Sequence, residues 1–389
     1  MSIEGRIRKL EVHTPAGLSG RLLKNAHFTF NYVPDATTEH QVSVTMQIRD
    51  ESYTRGALFP IFEMNLPEGF VRHYVYERLR KTAPVDDMLF LALSGDNGIG
   101  RLRYRSEQFE QEDTEVTSLE EILESKDTNA LFTELVETHL LRTSVGVSGI
   151  QPKVVVPEYR GTLSLPSLIL KSGNAEYPNI ALNEFLCMSI AKHAGLRTPE
   201  FWLSSDSQLF VMRRFDILAS GEKLGMEDFS VLMAKPGDKK YEARYESLMR
   251  AGNLYEVDTT EVFEQIALSM VVGNGDAHLK NFAILYEDIR GPFWLSPIYD
   301  VVCTKPYGDE TVGLSINGSR NYPNKSYLEK LGKAFGVKNP REILDRIGTS
   351  VSEVVAENLD LISENKAGFI QNEILNNRDQ VMLTTRRFA

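Results

Sequence analysis

The 389-residue sequence predicts an α+β fold of two lobes, β-rich at its N-terminal end and largely helical at its C-terminal end. Three observations carry that expectation. Residues 6–33 alternate polar and apolar, as in Arg8-Lys-Leu-Glu-Val and His27-Phe-Thr-Phe-Asn-Tyr, and turn at Pro15-Ala-Gly and Pro34-Asp. That period of two belongs to a small antiparallel sheet. From residue 326 onward apolar side chains recur at helical spacing, in Leu344 to Leu361 and again in Phe369 to Leu375. Between these regions an apolar run, Ile266 to Val272, reads as the end of a buried helix, enters a turn rich in Gly and Asn, and leaves it through the strand-like Phe282-Ala-Ile-Leu-Tyr.

Composition narrows the function. The chain is 42% hydrophobic and 25% charged, the profile of an ordinary globular protein with room for two domains or one large two-lobed one. Its net charge of −11 argues against a chain that lies along a phosphate backbone by itself, although Arg378, Arg386 and Arg387 could form a local basic patch. Cys187 and Cys303 sit in apolar contexts, which predicts two buried free thiols in a reducing compartment. No cationic, apolar leader opens the chain and no apolar run approaches the ~20 residues of a membrane span, so a cytoplasmic protein without membrane contact is expected.

Taken in order, helices are predicted from Phe70 to Lys81 and from Asp86 to Leu93, and a strand from Gly98 to Tyr104. The acidic stretch Ser106-Glu-Gln-Phe-Glu-Gln-Glu-Asp-Thr-Glu and a helix from Asn129 to Leu141 mark a seam. The boundary is placed near 130, giving a β-rich domain at 1–130 and a second domain at 131–389. The latter divides at about 215 into a strand-bearing lobe and a helical lobe after it. The first domain, read alone, shows no catalytic constellation.

The second domain does. Thr143-Ser-Val-Gly-Val-Ser-Gly-Ile-Gln-Pro-Lys is a loop of small residues whose backbone N–H groups could cradle phosphate, with Ser148, Gly149 and Lys153 as candidates. It lacks a third glycine, and no Walker A pattern occurs; an ordinary Gly/Ser hairpin is the alternative. Lys171 ends the apolar strand Ser167-Leu-Ile-Leu, where it could reach α- and β-phosphates or simply snorkel to the surface. Thirteen residues on, Glu184 opens an amphipathic helix and is a candidate ion-pair partner for Lys171. The strand Phe210-Val-Met-Arg-Arg-Phe-Asp suits a connection between lobes, with Met212 and Phe215 as nucleotide-contacting candidates.

The central turn is Gly273-Asn-Gly-Asp-Ala-His-Leu-Lys-Asn. Asp276 and Asn281 stand five apart, the spacing of the protein-kinase catalytic loop, where the Asp takes the proton of the attacking hydroxyl and the Asn holds magnesium. Asp300 ends a short apolar strand 24 positions after Asp276, and its carboxylate can share a metal with Asn281. A metal hydrolase built on Asp276, His278 and Asp300 would need a further cluster of histidines or carboxylates that the sequence does not offer. Loop, strand lysine, helix glutamate, catalytic loop and metal aspartate therefore follow in kinase order.

Through these residues the chain resembles the HipA toxin kinases of bacterial toxin–antitoxin modules. Phe59-Pro-Ile-Phe-Glu-Met-Asn-Leu-Pro-Glu-Gly is similar to the family's N-terminal signature. Ser148-Gly-Ile-Gln-Pro-Lys153, Leu170-Lys-Ser-Gly, the turn at 273–282, Tyr299-Asp-Val-Val and Leu314-Ser-Ile-Asn-Gly are similar to its C-terminal domain. The resemblance implies a two-lobed, protein-kinase-like fold with a β-rich N-terminal cap, use of ATP and Mg2+, and Ser/Thr phosphorylation of a translation component such as an aminoacyl-tRNA synthetase. It also implies a helix-turn-helix antitoxin partner, HipB-like, through which alone the chain meets DNA. Carried over by position, Asp276 is the base, Asn281 and Asp300 hold metal, Lys171 binds phosphate, His278 orients the loop and Lys280 offsets phosphoryl charge. Gly146 stands where the family's autophosphorylated serine is expected, with Ser144 and Ser148 flanking it as candidates. A lipid or small-molecule kinase and a non-catalytic antitoxin-binding homologue are the rival readings; nothing in the sequence favours a lipid.

Overall fold

In Lys9–Thr14 (β1) burial alternates, with Leu10 and Val12 inside, and that alternation lays down a sheet with Gly17–Lys24 (β2), Phe28–Tyr32 (β3), Tyr53–Arg55 (β4) and Arg103–Arg105 (β5). The strands run in the order β4-β3-β2-β1-β5, every pair antiparallel. The computed structural model describes residues 5–108, 116–143, 151–160 and 163–383. Helices Pro60–Glu63 (α1), Gly69–Leu79 (α2), Asp87–Ser94 (α3), Leu119–Glu124 (α4) and Thr128–Thr143 (α5) share one hydrophobic core with this first sheet. Asp86 caps α3, its carboxylate accepting the Leu89 N–H at 3.2 Å. The strand expected over Gly98–Tyr104 is reduced to its last residues. Gly98 and Gly100 instead spend their backbone on the next domain: the Gly98 carbonyl accepts from Arg214 at 2.9 Å, and the Gly100 N–H donates to Asp216 at 2.8 Å.

Four strands open the second domain: Lys153–Arg160 (β6), Leu163–Ser172 (β7), then, after helix Ile180–His193 (α6), Phe201–Leu203 (β8) and Leu209–Arg213 (β9). Their order is β6-β7-β9-β8. Both faces are covered, so these strands read as continuous apolar runs. Val154, Val156, Leu168, Leu170 and Val211 join the N-terminal core, whereas Val155, Ile169, Phe210 and Met212 join the core of the helical lobe. Side chains alternate along a strand, so Lys171, two residues past Ile169, faces the helical lobe and α6. Helix α6 begins at Ile180, not at Asn183, because Asn179 takes a left-handed turn (φ 56°) one residue before it. Glu184 therefore lies one turn inside the helix rather than at its start, and is fully buried.

The helical lobe follows: Gly225–Asp228 (β10), Phe229–Leu232 (α7), Tyr245–Leu254 (α8), Thr259–Val272 (α9), Ala283–Tyr286 (β11), Trp294–Leu295 (β12), Lys325–Ala334 (α10), Pro340–Glu357 (α11), Leu359–Glu364 (α12) and Gly368–Met382 (α13). Helix α9 runs through the middle with Phe263, Ile266, Ala267, Leu268, Met270, Val271 and Val272 all buried. Cys187 and Cys303 are free and buried in the same core. Arg378 does not belong to an open basic tail: it lies in α13 and binds the Ser352 hydroxyl, while Arg386 and Arg387 fall outside the described residues. Among the described residues no helix is long and apolar enough to cross a membrane.

Candidate active site

The end of α9 fixes the central turn. Gly273 takes φ 81°, which an L side chain rarely adopts, and its N–H closes the helix on the Ser269 carbonyl. Gly275 is required by space: a Cβ there would lie 2.4 Å from Asp309 Oδ2 and 2.5 Å from the Thr311 carbonyl. Thr304 ties both ends, accepting the Gly275 N–H on its hydroxyl at 2.8 Å and donating its own N–H to Gly273 O at 3.0 Å. A short 3-10 turn, Leu279–Asn281, then leads into β11, with Asn281 Oδ1 accepting the His278 N–H at 2.8 Å. Tyr245 OH donates to Ala277 O at 2.9 Å and Tyr299 OH to Lys280 O at 2.6 Å. The loop is thus held by α8 and by the segment 299–311.

On this frame the charged groups converge. Lys171 Nζ lies 2.5 Å from Glu184 Oε1 and 2.6 Å from Asp300 Oδ1, and Asn281 Nδ2 donates to Asp300 Oδ2 at 3.1 Å. Lys153 pairs across the sheet with Lys171. Burial pushes Lys153 down to about 8, partly offset by Asp300. For Lys171 the two carboxylates overcome burial and hold it above its ordinary value. Asp300 is likewise held well below the usual carboxylate range: burial opposes this, and Lys171 and Lys153 outweigh it. Asp300 sits in a loop with φ 59° rather than at a strand end, since β12 closes at Leu295.

Asp276 lies apart from this cluster and accepts a hydrogen bond from the Tyr241 phenol on Oδ1. Burial raises its pKa, and the phenol pulls it back. His278 is buried beneath Tyr241, ring centroids 5.0 Å apart, and burial with nearby Lys240 brings it to about 3, so it is neutral at pH 7. Lys280 Nζ binds Glu68 Oε1 at 2.6 Å.

Two cavities meet at Asp300. One is walled by Ile169, Met212, Phe215, Met226 and Tyr299, with Lys171, Arg214, Asp216, Asp228, Lys280 and Asp300 as its charged lining. It is the shape expected of a small-molecule pocket, apolar with a few convergent polar groups. The other is lined by Gln151, Lys153, Tyr177, Asp276, Asp300, Thr304 and Asp309. Of the residues singled out in the sequence, Lys171, Asp300, Met212, Phe215 and Lys280 line the first cavity, with Glu184 behind Lys171 and Asn281 behind Asp300. Asp276 and Lys153 face the second. Ser144, Ser148 and Gly149 lie outside the described residues. Sequence reasoning assigned no site role to Glu68, Met64 and Ile99, which bring the N-terminal domain to the site, or to Tyr241.

A metal fits this donor set. Among the described residues no three His, Cys, Asp or Glu side chains form a cage. Mg2+ does not need one: it keeps its waters and is commonly bound by one or two carboxylates with substrate phosphates. The Asp300 carboxylate beside the Asn281 amide supplies that kind of partial site.

Comparison with known proteins gives a consistent picture. Residues 10–105 match the family model of the HipA N-terminal domain, and residues 145–357 that of the HipA-like C-terminal domain. Two proteins of Sinorhizobium fredii, Y4dM and Y4mE, both named as inferred kinases, are 27% identical over 341 residues and 28% identical over 294 residues. The first match covers 78% of this chain and 79% of the relative, the second 69% of each. A chain from the Shewanella oneidensis MR-1 toxin–antitoxin complex of HipA, HipB and operator DNA superposes on 95% of this chain and 97% of its own length, with a TM-score of 0.68 at 17% identity. That likeness is one of fold: an α+β, kinase-like, two-domain architecture.

Proposed function

This chain belongs to the HipA family, and from that premise we propose that it is an ATP- and Mg2+-dependent Ser/Thr protein kinase, the toxin of a toxin–antitoxin pair, that restrains growth by phosphorylating a translation component such as an aminoacyl-tRNA synthetase. The observation that carries the kinase reading is the meeting of the two cavities at Asp300, with Lys171 held between Glu184 and Asp300 on one side and Asp276 on the other. A buried ion pair adds little net stability because desolvation offsets the attraction. Lysines and carboxylates perturbed together in a cleft therefore point to function.

In this reading the apolar pocket at Met212 and Phe215 takes the adenine, and Lys171 takes phosphate oxygens. Asn281 and Asp300 would hold Mg2+, which supplies charge neutralisation at the phosphates. Asp276 accepts the proton of a substrate Ser or Thr hydroxyl as its oxygen bonds to the γ-phosphorus and the bond to the ADP leaving group breaks. Lys280 offsets charge on the group in transit, and neutral His278 supports the loop. The test is incubation with γ-labelled ATP and a cell lysate. Label on serine or threonine of protein is expected; label confined to lipid or small molecules would overturn the protein-kinase reading.

The proposed partner is a helix-turn-helix antitoxin, HipB-like. Counterion release makes basic contacts the main source of DNA affinity, and a chain of net charge −11 is poorly suited to supply them. A mobility shift on operator DNA is expected with the partner present and not with this chain alone; tight binding by the chain alone would contradict this.

A further inference from the structure

Glu68 stands at the N-cap of α2, yet its side chain accepts nothing from that helix. It reaches out of the N-terminal domain instead. Oε1 lies 2.6 Å from Lys280 Nζ and Oε2 lies 2.9 Å from Lys240 Nζ, so one carboxylate bridges two ammonium groups. The lysines belong to segments already joined, since the Leu279 N–H donates to the Lys240 carbonyl at 3.2 Å. Lys280 is nearly buried, its side chain 5% exposed, and lines the apolar cavity together with Lys171 and Asp300. The other carboxylates near it are committed elsewhere or lie off contact. Asp228 caps α7, accepting from the Ser230 hydroxyl and the Val231 N–H. Glu63 packs against Gly237, where a Cβ would lie 2.9 Å from its Oε1. Among the described residues, the ion pair of Lys280 is with Glu68.

We propose that Glu68 is a positioning residue for phosphoryl transfer: by bridging Lys240 and Lys280 it fixes the Lys280 ammonium in the lining of the cavity, so the site is complete only with the N-terminal domain in place. The proposal rests on the reading that Lys280 acts in transfer. Glu68 is not among the residues that line either cavity and works through the lysine. Two further N-terminal residues, Met64 and Ile99, wall the same cavity, so the domain contributes surface as well as charge. The charge balance agrees. Burial alone would raise the Glu68 carboxyl, but Lys280 and Lys240 bring it down to about 2, so it stays ionised across the working pH range. Without the carboxylate, two like charges face each other and the nearly buried one loses its anchor. Misplacement by about 1 Å can cost ~10²-fold in rate.

The experiment measures ADP release from Mg-ATP by the full chain and by Glu68→Gln, Glu68→Asp, Lys280→Met and the Glu68→Gln/Lys280→Met pair. Glu68→Gln is expected to lower kcat by ~10- to 100-fold with KM for ATP little changed, and the double variant to fall no further than Lys280→Met, since the two residues act as one unit. Glu68→Asp, which keeps the charge one methylene short, should be intermediate, and it carries the test should Glu68→Gln fail to fold. A slow Lys280→Met beside a Glu68→Gln of unaltered kcat would overturn the positioning role. An unaltered rate in Lys280→Met would overturn the role given to Lys280, and no ADP release from the unsubstituted chain would overturn the kinase reading itself.

Discussion

Tyr241 sets its phenol on the carboxylate proposed as the base, and that one contact has a measurable consequence. A hydrogen-bond donor favours the ionised carboxylate, so the phenol lowers the Asp276 pKa that burial raises. A base works only when deprotonated. Tyr241→Phe should therefore move the acid limb of the kcat/KM profile for phosphoryl transfer to higher pH; an unmoved limb, or one shifted to lower pH, would show that the phenol does not tune the base. At this scale the sequence was most readable where residue type and spacing carry chemistry. Asp276 and Asn281 share one short loop, and Lys171 with Glu184 spans the step from a strand to the next helix, so few folds can keep them apart. Glu68 and Tyr241 were not readable, because their partners lie 212 and 35 positions away and only packing brings them together.

The sheet β6-β7-β9-β8 serves both domains, one face buried in each core. Its apolar strands were legible in the sequence, but not that the lysine ending β7 points inward, because alternation fixes faces only once both neighbours are known. Helix starts were similarly shifted: α6 begins after a left-handed Asn179 whose side chain is committed to the Asn365 carbonyl at 3.0 Å. A second link between domains runs through β10. The buried Glu227 accepts from the Ser43 hydroxyl at 2.7 Å, the Val44 N–H at 2.8 Å and the Tyr286 phenol at 2.8 Å. Burial raises its pKa to about 7 against the usual value near 4.5. Because the folded state holds this proton more tightly, the stabilisation is fully present below about 4.5 and is lost as pH rises through about 7. Melting temperature should accordingly fall more steeply between pH 5 and 8 in the unaltered chain than in Glu227→Gln, which mimics the protonated form; parallel curves would refute the assignment.

At the scale of the whole molecule, two lobes and an N-terminal cap were legible from a change of period, two in the first residues and helical toward the end. How the cap docks was not, since Arg214 reaches the Asn97 and Gly98 carbonyls and Glu68 reaches Lys280 through contacts that no local pattern announces. The docking matters because the cavity takes its walls from both domains, which makes the kinase reading a claim about the full chain. Its central element is Asp276 as the base of phosphoryl transfer. The most direct measurement compares the unaltered protein with Asp276→Asn in two assays, Mg-ATP binding by thermal shift and transfer of label from γ-labelled ATP to protein. Binding should persist, since the substitution keeps the shape of the side chain, while transfer should fall by ~10²- to 10⁴-fold with the loss of the proton acceptor. Transfer at the unaltered rate by Asp276→Asn would contradict the account.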